Sequence, residues 1–296
     1  MSTSASGSFP WPSIPGPDPG SIQRGWIPGF VPQPARDQPY IAVHGSGPGP
    51  AVLIRSDRGF AVTHGILRLA DVLDGRRLHG SLLILPGALQ GNRIPAGMLE
   101  LLAPAGAVLD LETAPGWKPS VNHVWRHAPV AVGVDARGRD VAHALNLPYT
   151  LATDFTRWPP EWLWGADVSR ALHCRVLIAE DRANRDEIAG RVMNDVVNAL
   201  RVCGGLEGLP SPTETIDARL IGIARSPVHG LWIPEVEPGQ TIEDDTRLGE
   251  LRELTGELVG TMRATYTGVV LACSTAVQVR EQDPLVWVIA PDRFVS

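Results

Sequence analysis

The chain has 296 residues and an apolar content of 44%, which is enough for one large core or for one medium and one smaller domain, and two domains are expected. A net charge of -6, with arginines dispersed along the chain, excludes the basic footprint of a protein that binds nucleic acid or an anionic membrane surface. A small-molecule partner is expected instead, and a homo-oligomer is compatible with the composition.

Cellular location is predicted from what the sequence lacks. No stretch approaches the ~20 apolar residues of a transmembrane helix, and the N-terminus has no signal-peptide pattern. The three cysteines, Cys174, Cys203 and Cys273, lack C-x-x-C spacing, so neither a disulfide framework nor a cysteine zinc site is indicated. We expect a soluble cytoplasmic protein. Its single lysine among many arginines is typical of a GC-rich genome such as an actinobacterium's, for which specialised metabolism is a compatible context.

Residues 1–39 are rich in Pro, Gly and Ser, which disfavours helix. The segment also contains Phe9, Trp11, Trp26 and Phe30, and disordered segments are poor in aromatic residues. It is therefore predicted to be an N-terminal arm that packs along the body of the protein, with these aromatic residues as possible anchors. A disordered tail is the alternative.

Residues 40–207 alternate short β-rich runs with helical ones, which predicts an α/β domain. Strands are predicted over 41–45, 51–56, 81–86, 107–113, 128–135 and 174–180, and helices over 64–75, 96–104, 140–147 and 186–204. Such alternation is typical of a mostly parallel or mixed sheet with covering helices. In residues 208–296 the helical pattern disappears, and strands over 219–226, 230–237, 256–265, 268–274, 276–279 and 284–291 predict a small all-β domain.

Four landmarks, in order over residues 40–292, are similar to the succinylglutamate desuccinylase and aspartoacylase family of zinc amidohydrolases. They are the strand, loop, helix and strand of 47–86, the strand segment VLDLETAPG at 108–116, the segment CRVLIAEDRAN at 174–184, and the C-terminal β pattern over 227–289. The resemblance implies a carboxypeptidase-like α/β domain whose active site is capped by a β domain.

The resemblance also implies a chemistry, which several residues contradict. In the family, an H-x-x-E loop and a later histidine hold zinc, a glutamate moves the proton, and an Asn-Arg pair grips the substrate carboxylate. Here the loop reads RSDRGFAVTHG, with Asp57 and His64 as the only nearby substitutes, and the later histidine is replaced by Glu112. Because a hydrolytic zinc needs three protein ligands and an open position, no metal or other cofactor is expected unless ligands have relocated.

Relocated ligands have one candidate set. His123 and His127 would share a face of either a strand or a helix, and with Glu112 they would form a two-histidine, one-carboxylate set. Alternatively, the histidines are packed, hydrogen-bonded residues, with His123 near the substrate, and Glu112 is a strand-end carboxylate paired with an arginine or the backbone.

Glu180 is the leading catalytic candidate, because it ends an apolar strand run and strand ends in open α/β sheets face the ligand crevice. Glu112 and Asp110 are the other predicted acid-base residues; an ion pair with Arg182 or Arg185 is the structural alternative for Glu180. Asn92 and Arg93 resemble the substrate-gripping pair, although a shortened loop could equally leave Arg93 on the surface.

A tryptophan-rich loop precedes the Glu180 strand. Trp158, Trp162 and Trp164 suit either an aromatic pocket wall or a loop held to the core.

The sequence therefore predicts a metal-independent small-molecule enzyme derived from N-acyl-amino-acid deacylases. Carboxylate acid-base chemistry would act on an acyl, amide or carboxylate-bearing substrate, by isomerisation, cyclisation, elimination or hydrolysis. A catalytically silent ligand-binding or scaffold homologue, and a zinc amidohydrolase with relocated ligands, are the alternatives.

Overall fold

The computed structural model describes residues 9–32, 35–88, 100–112, 125–127, 130–133, 136–145, 147, 149–151, 172–177, 185–211, 215–274 and 276–291. The helices are α1 (Phe60–Val72), α2 (Ala136–Ala144) and α3 (Arg185–Val202), with a 3-10 turn at Gly75–Arg77, and residues 100–102 are also helical. The strands are β1 (Ser21–Pro32), β2 (Ala35–His44), β3 (Gly47–Ser56), β4 (His79–Leu85), β5 (Ala107–Glu112), β6 (Trp125–His127), β7 (Val130–Gly133), β8 (Tyr149–Leu151), β9 (Leu172–Leu177), β10 (Ile216–Arg225), β11 (Gly230–Pro234), β12 (Thr241–Ile242), β13 (Arg247–Arg252), β14 (Leu258–Arg263), β15 (Gly268–Ser274), β16 (Gln278–Val279) and β17 (Pro284–Pro291).

A mixed sheet organises most of these strands. Its order is β1-β2-β4-β3-β5-β9-β7-β8-β10-β17-β15-β12, with β6 paired to β15. The pairs β4-β3, β3-β5 and β5-β9 are parallel, whereas β7 runs antiparallel to β9. The prediction of a mixed α/β sheet with covering helices is confirmed.

Each face of the parallel strands is buried by a different part of the chain. Residues such as Ile54 and Leu109 face one core, into which α1, α2 and α3 pack. The alternate residues Leu53 and Val108 face the other core. Burial on both faces explains why these strands read as nearly continuous apolar runs.

Helices α1 and α3 cross at close range on the first face. A Cβ added at Gly65 of α1 would lie 2.8 Å from the Ala189 carbonyl oxygen of α3, so a larger side chain there would separate the two helices. Helix α3 ends close to the predicted stop, because Gly204 adopts a positive φ of 74° and its amide donates to the Arg201 carbonyl.

The N-terminal segment covers the opposite face, but only in part as predicted. Trp11 is completely buried and its Nε1 donates to the Leu101 carbonyl oxygen at 2.8 Å, so this predicted anchor is confirmed. Trp26 is 66% exposed, so the prediction that it anchors the segment is wrong. Trp26 lies on β1, a strand within the segment predicted as an arm. Strand β1 pairs with β2 and forms one end of the sheet. Proline is tolerated there because an edge strand has unpaired amide positions.

From Ile216 onward the described chain is composed of strands and turns, as the sequence predicts. Strand β10 pairs in parallel with β8, so the main sheet continues into this region, and β14-β13-β11-β16 form a second sheet. The division into domains at residue 208 stays a prediction. In the part of the chain that the structure describes, no helix combines the length and apolarity needed to cross a membrane.

Candidate active site

The candidate site lies at the edge where β4, β3, β5 and β9 all end. Because these strands are parallel, their carboxyl ends meet at one edge, which in open α/β sheets is where ligands bind. Glu112, the last residue of β5, is in register with Leu177, the last residue of β9. The segments that follow β5 and β9 therefore start side by side at this edge.

The turn between β3 and α1 is fixed by hydrogen bonds. The Asp57 amide donates to the Leu111 carbonyl at 3.0 Å, which ties the turn to β5. The Thr63 hydroxyl donates to the Asp57 carbonyl at 3.1 Å, and the Gly59 amide donates to Asp57 Oδ1 at 2.8 Å. Asp57, one of the two possible replacement zinc ligands, therefore uses its carboxylate to stabilise the turn in which it lies.

Asp110 is held by a buried arginine. Arg55 and Asp110 are opposite each other on β3 and β5, and they are 0% and 1% exposed. Arg55 Nε donates to Asp110 Oδ1 at 2.7 Å and Nη2 donates to Oδ2 at 2.5 Å, a two-pronged pair. Both oxygens of Asp110 are therefore engaged below the strand end, an arrangement that suits a supporting ion pair better than proton transfer.

Arg58 is a residue of this edge that the sequence reasoning did not single out. It is exposed, and it makes no hydrogen bond or ion pair with any described residue. Its stem lies beside Gly87, just after β4, where an added Cβ would be 3.5 Å from Arg58 Cγ. The signal that could have identified it is a charged residue next to glycine in a strand-to-helix turn of an α/β sheet.

His64 lies away from the edge, in the second turn of α1, because the helix begins at Phe60 and not at His64 as predicted. Its ring packs edge-on against Phe60, with a centroid separation of 5.2 Å, and Nδ1 is 3.7 Å from Asp186 Oδ1 of α3. This histidine faces the start of α3. Among the described residues, no group of three His, Cys, Asp or Glu side chains could hold a metal ion, so these residues do not fit the zinc that the resemblance implies.

Most of the predicted site residues lie outside the described residues: Glu180, Asn92, Arg93, His123, Trp158, Trp162 and Trp164. The structure places the backbone of Glu112 at the edge, and it places the end of β9 at Leu177, shortly before Glu180. His127 belongs to β6, paired with β15. The convergence of Glu180, Glu112 and Arg93 on one cavity stays a prediction.

No protein-family model matches the chain, and no curated protein is detectably similar to it. Solved structures are similar over nearly the whole length. The product-bound ectoine utilization protein EutE (DoeB) from Ruegeria pomeroyi has a TM-score of 0.74 at 17% identity, covering 94% of this chain and 98% of that one. The succinylglutamate desuccinylase/aspartoacylase from Rhodobacter sphaeroides has a TM-score of 0.68 at 15% identity, covering 91% and 96%.

An aspartoacylase family protein from Mesorhizobium loti gives a TM-score of 0.68 at 17% identity, covering 93% of this chain and 96% of that one. The chain therefore has the fold of succinylglutamate desuccinylase and aspartoacylase proteins. The resemblance predicted from the sequence is confirmed at the level of the fold. A shared fold does not establish a shared activity, which depends on the residues of the site.

Proposed function

We propose that the chain is a small-molecule enzyme of deacylase ancestry that works without zinc. Its substrate carries an acyl or amide group together with a carboxylate. Acid-base chemistry by carboxylates at the strand edge, and not a metal-bound water, drives the reaction.

The observation that carries this proposal is the content of the β3-α1 turn. In place of an H-x-x-E pair, the turn offers Asp57, which accepts from the Gly59 amide, and Arg58, which is exposed and makes no polar contact with a described residue. A guanidinium repels a divalent cation and binds a carboxylate through its planar fork. These properties of Arg58 support the binding of an anionic group of the substrate at this turn.

Glu180 is the proposed proton-transfer residue, with Glu112 as its partner. In a hydrolysis, Glu180 would take a proton from water as the water oxygen adds to the carbonyl carbon. It would then return that proton to the amide nitrogen as the C-N bond breaks. Without a metal to polarise the carbonyl, several kcal/mol of barrier lowering must come from elsewhere. An isomerisation, cyclisation or elimination, which needs less activation, is therefore as compatible with the site as hydrolysis.

The substrate carboxylate is assigned to Arg58, with Asn92 and Arg93 as further contacts. Asp110 is assigned a supporting role, because Arg55 engages both of its oxygens. Keeping this ion pair beneath the strand ends would hold β3 and β5 in register under the reacting groups.

A silent ligand-binding protein is the second candidate. The same turn favours it, since a cation that grips a carboxylate serves binding as well as catalysis. The two candidates differ in whether the wild-type chain converts a ligand that it binds: the enzyme does so and needs Glu180 for turnover, whereas the silent protein binds without turnover.

Metal content tests the zinc-free proposal directly. We expect no stoichiometric metal, by elemental analysis, in protein purified without a metal-affinity step. The Glu112→Ala and His123→Ala variants are measured beside it. One zinc per chain that disappears in both variants would instead establish a relocated metal site and metal-dependent deacylation.

Turnover and binding are then measured on a panel of N-acyl amino acids and their cyclic amides, by product chromatography and calorimetry. Glu180→Gln should abolish turnover but leave binding, whereas Glu281→Gln, in an exposed turn, should change neither. Arg58→Gln should weaken binding about tenfold or more, the loss of one charge-assisted contact, whereas exposed Arg77→Gln should not. Binding without turnover would support the silent protein, and a panel that neither binds nor reacts would reject the substrate class.

A further inference from the structure

Helix α3, which covers one face of the sheet, carries a buried carboxyl group that has no role in the proposed chemistry. Asp195 of α3 is only 8% exposed, and it makes no hydrogen bond with any described residue. It lines a cavity of about 10 Å³, room for a single water molecule. Burial of an acid in this position disfavours its charged form.

The described walls of the cavity are almost entirely apolar. Leu111 comes from β5, and Arg191, at the preceding turn of α3, is the one charged group among the described lining residues. The remaining lining residues are Leu145, Leu147, Val192 and Val196. Burial raises the pKa of Asp195 to about 7, and Arg191 opposes this increase.

Leu111 belongs both to the wall of this cavity and to the candidate site. The Leu111 side chain lines the cavity, and the Leu111 carbonyl oxygen accepts the hydrogen bond from the Asp57 amide that begins the β3-α1 turn. The next residue after Leu111 is Glu112. A change in how α3 packs on Leu111 would therefore shift both the β3-α1 turn at Asp57 and the strand end at Glu112.

We propose that Asp195 is a pH-sensitive element that controls how tightly α3 packs against the end of β5 and, through Leu111, how well the β3-α1 turn is ordered. The neutral acid suits the apolar cavity. The carboxylate does not, so its formation favours states in which α3 opens to water. The consequence for catalysis rests on the proposed function, whereas the packing change does not.

The direction of the pH dependence follows from the two pKa values. The folded state holds the Asp195 proton up to about pH 7, whereas the unfolded or opened state loses it near 3.8. The stabilisation is fully present below the lower value and is lost as the pH rises through the upper one. Between these values the opening constant of α3 should rise about tenfold per pH unit, and it should level off above pH 7.

Hydrogen exchange of the full chain, followed by mass spectrometry from pH 5 to 8.5 and corrected for intrinsic exchange, tests the proposal. Peptides covering 185–202 and 107–112 should both show the rise in wild type, and Asp195→Asn should remove it from both. Glu187→Gln, an exposed acid in the first turn of the same helix that makes no polar contact with a described residue, should behave as wild type. Arg191→Gln should move the plateau to higher pH, which gives a second measurement if the first variant folds poorly.

Two results would overturn the proposal. The same pH dependence in Asp195→Asn and wild type would mean that another group titrates. A rise confined to 185–202, with 107–112 unaffected, would mean that α3 opens without disturbing the strand end. Exchange is measured without substrate, so either result is separate from the fate of the proposed enzymatic activity.

Discussion

Removal of the Asp110 charge should destabilise the protein far more than removal of an exposed one. In Asp110→Asn, the guanidinium of Arg55 stays fully buried but faces a neutral amide. The amide oxygen can replace only one of the two carboxylate acceptors at 2.7 and 2.5 Å, and the amide NH2 group meets the other guanidinium donor. Breaking a buried ion pair on one side reduces the free energy of unfolding by about 3–5 kcal/mol. That is a large share of the ~5–15 kcal/mol that stabilises a typical protein.

The chain contains a matched control. Arg24 and Asp71 form an ion pair at 2.6 Å whose side chains are 59% and 68% exposed. Because water and salt screen such a pair, Asp71→Asn should reduce the free energy of unfolding by less than about 1 kcal/mol. The Arg24–Asp71 pair is exposed and has one hydrogen bond where the Arg55–Asp110 pair has two, so a larger loss in Asp110→Asn reports the burial and the two-pronged contact together.

Urea denaturation followed by tryptophan fluorescence gives both values. The double variant Arg55→Met/Asp110→Leu removes both buried charges and should recover most of the loss. Equal losses in Asp110→Asn and Asp71→Asn would contradict a large contribution of the buried ion pair, and so would a double variant as unstable as Asp110→Asn.

Two further stability predictions use matched pairs and the same urea assay. Trp11→Ala should reduce the free energy of unfolding by about 3–5 kcal/mol because it empties a completely buried site, whereas Trp26→Ala, at a site that is 66% exposed, should change it by less than about 0.5 kcal/mol. Gly80 and Gly256 both have positive φ angles, of 75° and 93°, but a Cβ at Gly80 would overlap the Pro50 carbonyl oxygen and one at Gly256 would meet nothing within 4 Å. Gly80→Ala should therefore be clearly more destabilising than Gly256→Ala, for which only the backbone strain of about 1–2 kcal/mol applies; equal losses would contradict the steric account.

Several elements were predictable because their signals are local. The apolar spacing of residues 186–204 and the glycine at the end of that range, Gly204, predict α3, and the helix runs over Arg185–Val202. A strand was predicted over 107–113 from the apolar residues of AVLDLET, and β5 covers Ala107–Glu112. In each case the neighbours that decide the conformation are only a few residues away.

The N-terminal segment was only partly predictable. Its composition is poor in helix formers but says little about which tryptophan is buried. Trp11 meets a core built from residues far along the chain, whereas Trp26 lies on the outer face of an edge strand. Burial depends on which surfaces meet, and that is not encoded in the residue type.

Local pattern and order in the sequence were enough to predict the α/β fold with its β-rich C-terminal strands and the family resemblance, and to show that the segment RSDRGFAVTHG contains no H-x-x-E. Only the tertiary structure decided that Arg55 occupies both oxygens of Asp110, that Arg58 is exposed at the strand edge, and that Asp195 is buried beside Leu111. These contacts depend on the parallel register of β3 with β5 and on the packing of α3 on the sheet. Partners separated by 55 or more positions become neighbours only when the sheet forms, and no local pattern specifies which charge is paired, exposed or buried.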